Sequence, residues 1–239
     1  MRQFTSIKIV LCVFTVLSFT ATANAIPLIL NGGFESGFTS WVRVDQVGSE
    51  GTFTLQTGAL SPVSGDPVPA PPGGLTAAMT DAAGPGSHVL YQDFLVPNEG
   101  AVLTFSLFIG NRADRFVTPT TLDFSTPALN QRARVDILRG GTDPFSVAAG
   151  DIVLVLYQTQ VGNPLVSGYN NFNFDLTALF GANVGQTLRL RFAETDNLAP
   201  FQFGVDNVSL ETTSAVPEPH SIPLLATGLL ALLAIRRRS

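Results

Sequence analysis

Residues 186–192 read QTLRLRF. Leu188, Leu190 and Phe192 alternate with Arg189 and Arg191. Successive side chains of a β-strand point to opposite faces, so this period of two predicts a strand with one buried face and one wet face. The same pattern spreads outward from it. His88–Val96 (HVLYQDFLV) and Ala101–Ile109 (AVLTFSLFI) are β-branched and aromatic, and Pro97-Asn98-Glu99-Gly100 between them forms a turn. Ala133–Leu138, Asp151–Gln158 and Phe201–Leu210 read the same way. No stretch of the body keeps a helical period of useful length; one short helical turn is expected near Asp175–Phe180. Many short strands with turns between them predict an all-β fold, a β-sandwich.

Two loops interrupt the strands. Ser61–Gly74 (SPVSGDPVPAPPGG) carries five prolines and must be irregular. Gly110–Asn130 is polar and holds Pro119 and Pro127. Strand signals resume directly after each, so neither is a domain linker. A chain of 239 residues holds one good-sized domain with a real core.

Charge narrows the function classes. The stretch from Glu35 to Glu218 contains 18 acidic residues against eight arginines and no lysine, a net charge near −10. Such a body repels phosphate backbones, which excludes nucleic acid as a partner, and it suits divalent cations. The single cysteine, Cys12, lies in the N-terminal apolar run, so the body has no disulfide, thiolate metal site or cysteine nucleophile.

Both ends read as addresses. Arg2 and Lys8 flank the start of an apolar run, Ile9–Phe19, and Ala23-Asn24-Ala25 is a small-x-small cleavage site. Residues 1–25 are therefore expected to be a secretory signal peptide, with a mature start at Ile26. At the other end, Val216-Pro217-Glu218-Pro219 precedes 14 uncharged residues, Ile222–Ile235, and then Arg236, Arg237 and Arg238. A comfortable membrane helix needs about 20 residues, so this one is short. The arginines would stop transfer on the cytoplasmic side.

The order of motif, apolar run and terminal arginines in residues 216–239 resembles the PEP-CTERM sorting domain of Gram-negative bacteria that make extracellular polysaccharide. That resemblance implies export, a transient inner-membrane anchor, processing near Pro-Glu-Pro by a membrane protease of the exosortase type, and delivery to the cell surface or extracellular matrix. Residues 26–215 would then be the delivered domain.

Within that domain, Asn31-Gly32-Gly33-Phe34-Glu35-Ser36-Gly37-Phe38 with Trp41, and Phe203-Gly204-Val205-Asp206-Asn207-Val208-Ser209-Leu210, stand at the two ends. Together they resemble the galactose-binding-like jelly roll of several carbohydrate-binding module families. The resemblance implies that the first and last strands are neighbours. It also implies a structural calcium held by Glu35 and Asp206 with backbone carbonyls and water, the hard oxygen donors calcium takes. The residues alone leave a second reading open, in which Glu35 caps a turn and Asp206 bonds nearby backbone.

Carbohydrate recognition calls for exposed aromatic platforms. Trp41 is expected in the core, Tyr91 and Tyr157 lie inside strands, and Tyr169, in Ser167-Gly168-Tyr169-Asn170-Asn171, is the best exposed ligand-binding candidate. His88 follows Ser87 directly, but strand neighbours point apart and form no dyad; it reads as a turn leading into a strand. No histidine-rich cluster supports zinc. The expectation is a non-enzyme. A carboxylate pair from distant positions, as in a glycan-active enzyme, is the one catalytic arrangement left open. Arg112, Arg115, Arg132 and Arg134 suit either an acidic sugar or internal pairing with Asp114, Asp123 and Asp136, and pairing is the expectation. The reading is a surface domain that binds extracellular polysaccharide; the alternative is an adhesive surface protein with a protein partner.

Overall fold

Ten strands and one short helix follow the opening loop: β1 Val42–Asp45, β2 Phe53–Thr57, β3 Thr76–Thr80, β4 Gly86–Leu95, β5 Ala101–Asn111, β6 Gln131–Arg139, β7 Ile152–Gln158, β8 Asn170–Asp175, α1 Thr177–Ala182, β9 Thr187–Asp196 and β10 Phe201–Thr212. This is a computed structural model, and it describes residues 25–213. The expected signal segment with Ala23, the membrane helix, and the sorting residues Val216, Pro217, Glu218, Pro219, Arg236, Arg237 and Arg238 lie outside the described residues. Ala25 is exposed. Among the described residues no helix is long and apolar enough to cross a membrane.

The strands form two five-stranded sheets, β1-β4-β9-β6-β7 and β2-β3-β10-β5-β8, and every pairing is antiparallel. Only β2–β3 and β6–β7 stay within one sheet; every other connection between consecutive strands changes sheet. This is the all-β jelly-roll sandwich expected from the sequence. The inward rows follow the pleat: Leu188, Leu190 and Phe192 on β9 face Leu103, Phe105 and Leu107 on β5, with Phe203 and Val205 on β10.

The outer face of β9 differs from its sequence reading. Arg189 and Arg191 are not wet: they are 5% and 0% exposed. The loop after β6 folds over that face, and Arg189 donates to the Thr142 carbonyl while Arg191 donates to those of Pro144 and Ser146. Asp93 and Asp136 neutralise them. Arg132 likewise holds the Pro119 and Thr121 carbonyls. Its pKa is pushed down to about 10 by burial and by Arg134 beside it. Arginine serves here as a staple, because one planar fork reaches several acceptors at once.

A chain of aromatic rings ties the opening loop to the core. Phe34 packs on Trp41 at 5.3 Å, Trp41 on Phe192 at 6.0 Å, and Phe192 edge-on to Phe105 at 5.5 Å. Each such pair adds about 0.5–1.5 kcal/mol beyond the buried area. Trp41 is a core residue, as expected.

Candidate functional site

The opening loop meets the last strand. Leu28 N–H donates to the Leu210 carbonyl at 2.8 Å and Val208 N–H to that of Gly32 at 3.0 Å. Gly32 lies so close that a Cβ there would sit 1.7 Å from the Val208 oxygen, so only glycine fits. Asn31 shapes the loop: its amide donates to the Gly37 and Thr39 carbonyls, its side-chain oxygen accepts Ser36 N–H, and its carbonyl accepts Trp41 Nε1–H. Asn31, Phe34 and Asn207 all adopt positive φ (53°, 56° and 51°). Three non-glycine residues in that conformation around one site mark backbone held in place by its surroundings.

This packing turns Phe34 inward and Glu35 outward. Glu35 Oε1 accepts Leu75 N–H at 2.8 Å, Thr76 N–H at 2.9 Å and the Thr76 hydroxyl at 3.0 Å. Those donors, Leu75 first, hold its carboxyl below the ordinary value. Across from it, Asp206 accepts Asn207 N–H at 2.6 Å and Gly73 N–H at 3.0 Å. Burial pushes the Asp206 carboxyl up to about 6, against those donors, and the Glu35 charge adds to the rise. The fold thus brings together two carboxylates that are 171 positions apart in the sequence. The local hydrogen-bonding reading of both residues is realised.

Glu35 and Asp206 are the carboxylates that would hold a hard cation here. Two carboxylates converge, neither forms an ion pair, and Glu35 Oε2 accepts no hydrogen bond among the described residues. No group of three or more acidic, histidine or cysteine side chains among the described residues is placed to hold a metal. Carbonyls and water would therefore complete any shell around Glu35 and Asp206.

Beside Asp206, the register of β10 against β5 shifts between Asp206 and Ser209. Asn207 is exposed there and lines a groove of about 340 Å³ with Thr104, Ser106, Asn171 and Asn173. Ser106 donates to Asn171 Oδ1 at 2.7 Å. The Asn173 and Asn207 side chains form no hydrogen bond among the described residues. No carboxylate, histidine or cationic side chain lines the groove. A second depression of about 230 Å³ opens on the other side of β8, where Tyr157 and Phe172 meet edge to face at 5.1 Å.

Tyr169 is not the exposed platform that its loop sequence suggests. Its hydroxyl donates to Gln56 Oε1 at 2.8 Å and its ring packs on Phe108 at 5.8 Å. Burial, and then the charge of Asp206, raises its pKa. Two of the arginines pair as expected, Arg115 with Asp114 and Arg134 with Asp136; Arg112 pairs with Asp66 instead, and Arg132 donates to the Pro119 and Thr121 carbonyls and forms no ion pair among the described residues. Asp123 accepts from Gln46 and Ser125.

A further set of ionisable groups is buried at the far end of the core. His88 lies within β4, and its Nδ1 is 2.7 Å from Asp45 Oδ1. Glu194 stands opposite His88 in register and Asp196 opposite Gly86. Glu194 Oε1 is buried without a hydrogen-bond partner. Burial, then Asp196, pushes the Glu194 carboxyl well up, and burial pushes Asp196 up to about 7.

Solved structures with related strand arrangements include three of low identity. The K3 cleaved adhesin domain of Lys-gingipain from Porphyromonas gingivalis W83 is 14% identical, with a TM-score of 0.49, over 80% of this chain and 100% of that one. TmCBM61 in complex with β-1,4-galactotriose is 12% identical, with a TM-score of 0.45, over 79% and 99%. The Stig cyclase Fisc from Fischerella sp. TAU is 22% identical, with a TM-score of 0.45, over 80% and 100%. No curated protein sequence matches the chain. One sequence feature is matched by a family model: residues 215–238 are a PEP-CTERM protein-sorting motif.

Proposed function

We propose that this is an exported surface or matrix protein whose β-sandwich binds extracellular polysaccharide in the groove between β5 and β8. The sorting motif at residues 215–238 supports export and delivery to the surface of a Gram-negative cell, with processing by an exosortase-type protease and a transient inner-membrane anchor. One observation carries the binding reading. Thr104, Asn171, Asn173 and Asn207 present amide and hydroxyl groups into one open groove, and nothing charged shares it. Such a lining suits a neutral polyhydroxylated chain, whose hydroxyls both donate and accept. The role proposed for the groove is binding.

Calcium at Glu35 and Asp206 belongs to the same proposal. A bound cation would neutralise the two converging carboxylates and fasten the opening loop to β10 beside Asn207. The test is binding of residues 26–214, whose sandwich closes on its own core, to the producing organism's extracellular polysaccharide. It is measured by isothermal titration, with calcium and then with chelator. Saturable binding that Asn171→Ala with Asn173→Ala abolishes, at an unchanged melting temperature, is expected. Absence of binding in both conditions would move the function to a protein partner.

A further inference from the structure

The proline-rich loop 61–74 is a strap laid over the outer face of the sheet β2-β3-β10-β5-β8. Its backbone hydrogen bonds stay close to home: Ser61 N–H donates to the Asp66 carbonyl and Val68 N–H to that of Ala59. Among the described residues, no backbone-to-backbone hydrogen bond joins residues 61–72 to a strand. Side chains hold it down. Asp81 accepts Val63 N–H at 2.9 Å and Ser64 N–H at 2.7 Å, Gln56 donates to the Pro69 carbonyl at 2.7 Å, and Asp206 accepts Gly73 N–H. Arg112 and Gln202 add contacts to Asp66. A segment stiffened by five prolines and fastened only by side chains can leave the sheet as a unit, with no ladder to break.

The strap covers two aromatic rings. Val68 is set into a small apolar cluster with Met79, Phe108 and Tyr169, separate from the main core. On β5 the outward row runs Thr104, Ser106, Phe108, and the row beside it runs Tyr169, Asn171, Asn173 (period two on each strand). The strands that build the polar groove therefore continue, one position further along, into the Phe108–Tyr169 pair. Gly204 on β10 makes room for Tyr169; a Cβ there would lie 2.6 Å from the tyrosine oxygen.

We infer that the sugar-binding site is longer than the open groove, and that Phe108 and Tyr169 form a second subsite for the apolar face of a neutral sugar ring, covered by the strap until a longer chain displaces it. This rests on the proposed polysaccharide-binding function. Aromatic rings beside hydrogen-bonding amides supply both parts of what a pyranose presents, a C–H face and a hydroxyl rim.

The test uses residues 26–214 and a length series of oligosaccharides cut from the producing organism's neutral polysaccharide. Val68→Ser unseats the strap, Tyr169→Ala removes a ring, and Tyr169→Phe keeps the ring while releasing Gln56. Short oligosaccharides should bind all three variants as they bind wild type. Long ones should bind Val68→Ser about threefold to tenfold tighter, Tyr169→Ala about tenfold weaker, and Tyr169→Phe at least as well as wild type. Melting temperatures confirm that each variant is folded. Binding that ignores chain length, Val68 and Tyr169 would overturn the covered subsite and leave the groove standing. Absence of binding in wild type and in Val68→Ser alike overturns both.

Discussion

Replacing Asp206 by asparagine separates the cation reading from the hydrogen-bonding one, because the two predict opposite signs in two buffers. Asp206 is fully buried, and its pKa rises from 3.8 to about 6 on folding, chiefly through burial. A folded pKa above the unfolded one favours the neutral form. The stability it confers is complete below the unfolded pKa, falls as pH climbs from about 4 to 6, and is gone above that. A rise of about two units is worth about 3 kcal/mol at most. The asparagine gives up one of the two N–H bonds that the carboxylate accepts, which offsets part of this and leaves an advantage of about 1–2 kcal/mol at pH 8. In chelator at pH 8, Asp206→Asn should therefore be at least as stable as wild type, since its side-chain oxygen still accepts one N–H. Its advantage should vanish near pH 4. Calcium reverses the order. At a hundred times its dissociation constant it adds about 2.7 kcal/mol to the wild type alone. For a domain of this size that is about 5–10 °C in melting temperature. Differential scanning calorimetry of both proteins in chelator and in calcium reads the crossing directly. An Asp206→Asn variant that melts well below wild type in chelator, or that keeps the calcium shift, would refute the reasoning.

Two other buried carboxyls carry predictions of their own. Glu194→Gln should remove a pH dependence: the raised Glu194 pKa means that wild-type stability falls as pH rises above about 4.5, whereas the variant stays flatter. Urea midpoints at pH 5 and pH 8 measure the slope, and equal slopes would discount Glu194 as its source. Asp136→Asn should cost about 3–5 kcal/mol, because Arg134 and Arg191 would both remain buried without their shared carboxylate. A loss below about 1 kcal/mol in chemical denaturation would mean that burying Arg134 and Arg191 does not depend on the charge of Asp136.

The inward half of LRLRF was legible because the pleat alone decides it. The outward half was not, because Arg189 and Arg191 are covered by loop residues about 45 positions earlier in the chain, and no local pattern announces a loop folding back. The strands VRVD, FTLQT and TAAMT went unread for a related reason: they are short and small or polar, and they are strands because neighbours pair with them. The resemblance set Glu35 near Asp206 by making the first and last strands neighbours; the two residues do meet, but the opening loop at Leu28 and Gly32 lies against β10, while the first strand, β1, pairs with β4 in the other sheet. The groove was missed although its signal was present. Asn171-Phe172-Asn173-Phe174 alternates strictly, and reading it as a strand would have put both asparagines on one face. Reading it as a loop instead suggested an exposed Tyr169, which the strap and Gln56 overrule.

The bulge on β10 explains why the two parts of the proposed site are adjacent. In a regular strand Asp206 and Asn207 would point to opposite faces, and Asn207 would be lost to the core. Here Val205 and Val208 both face inward with two residues between them, and the register shift accommodates the extra one. Asp206 and Asn207 therefore share the outer face, one at the carboxylate pair and the other in the groove. The positive φ of Asn207 is the local cost, stabilised by its N–H bond to Asp206 Oδ1. Any charge placed between Glu35 and Asp206 acts on the residue whose side chain defines the end of the groove. On the proposed function, cation and sugar would meet consecutive residues of one distorted strand, Asp206 and Asn207, so a cation held at the first would bear on the position of the second.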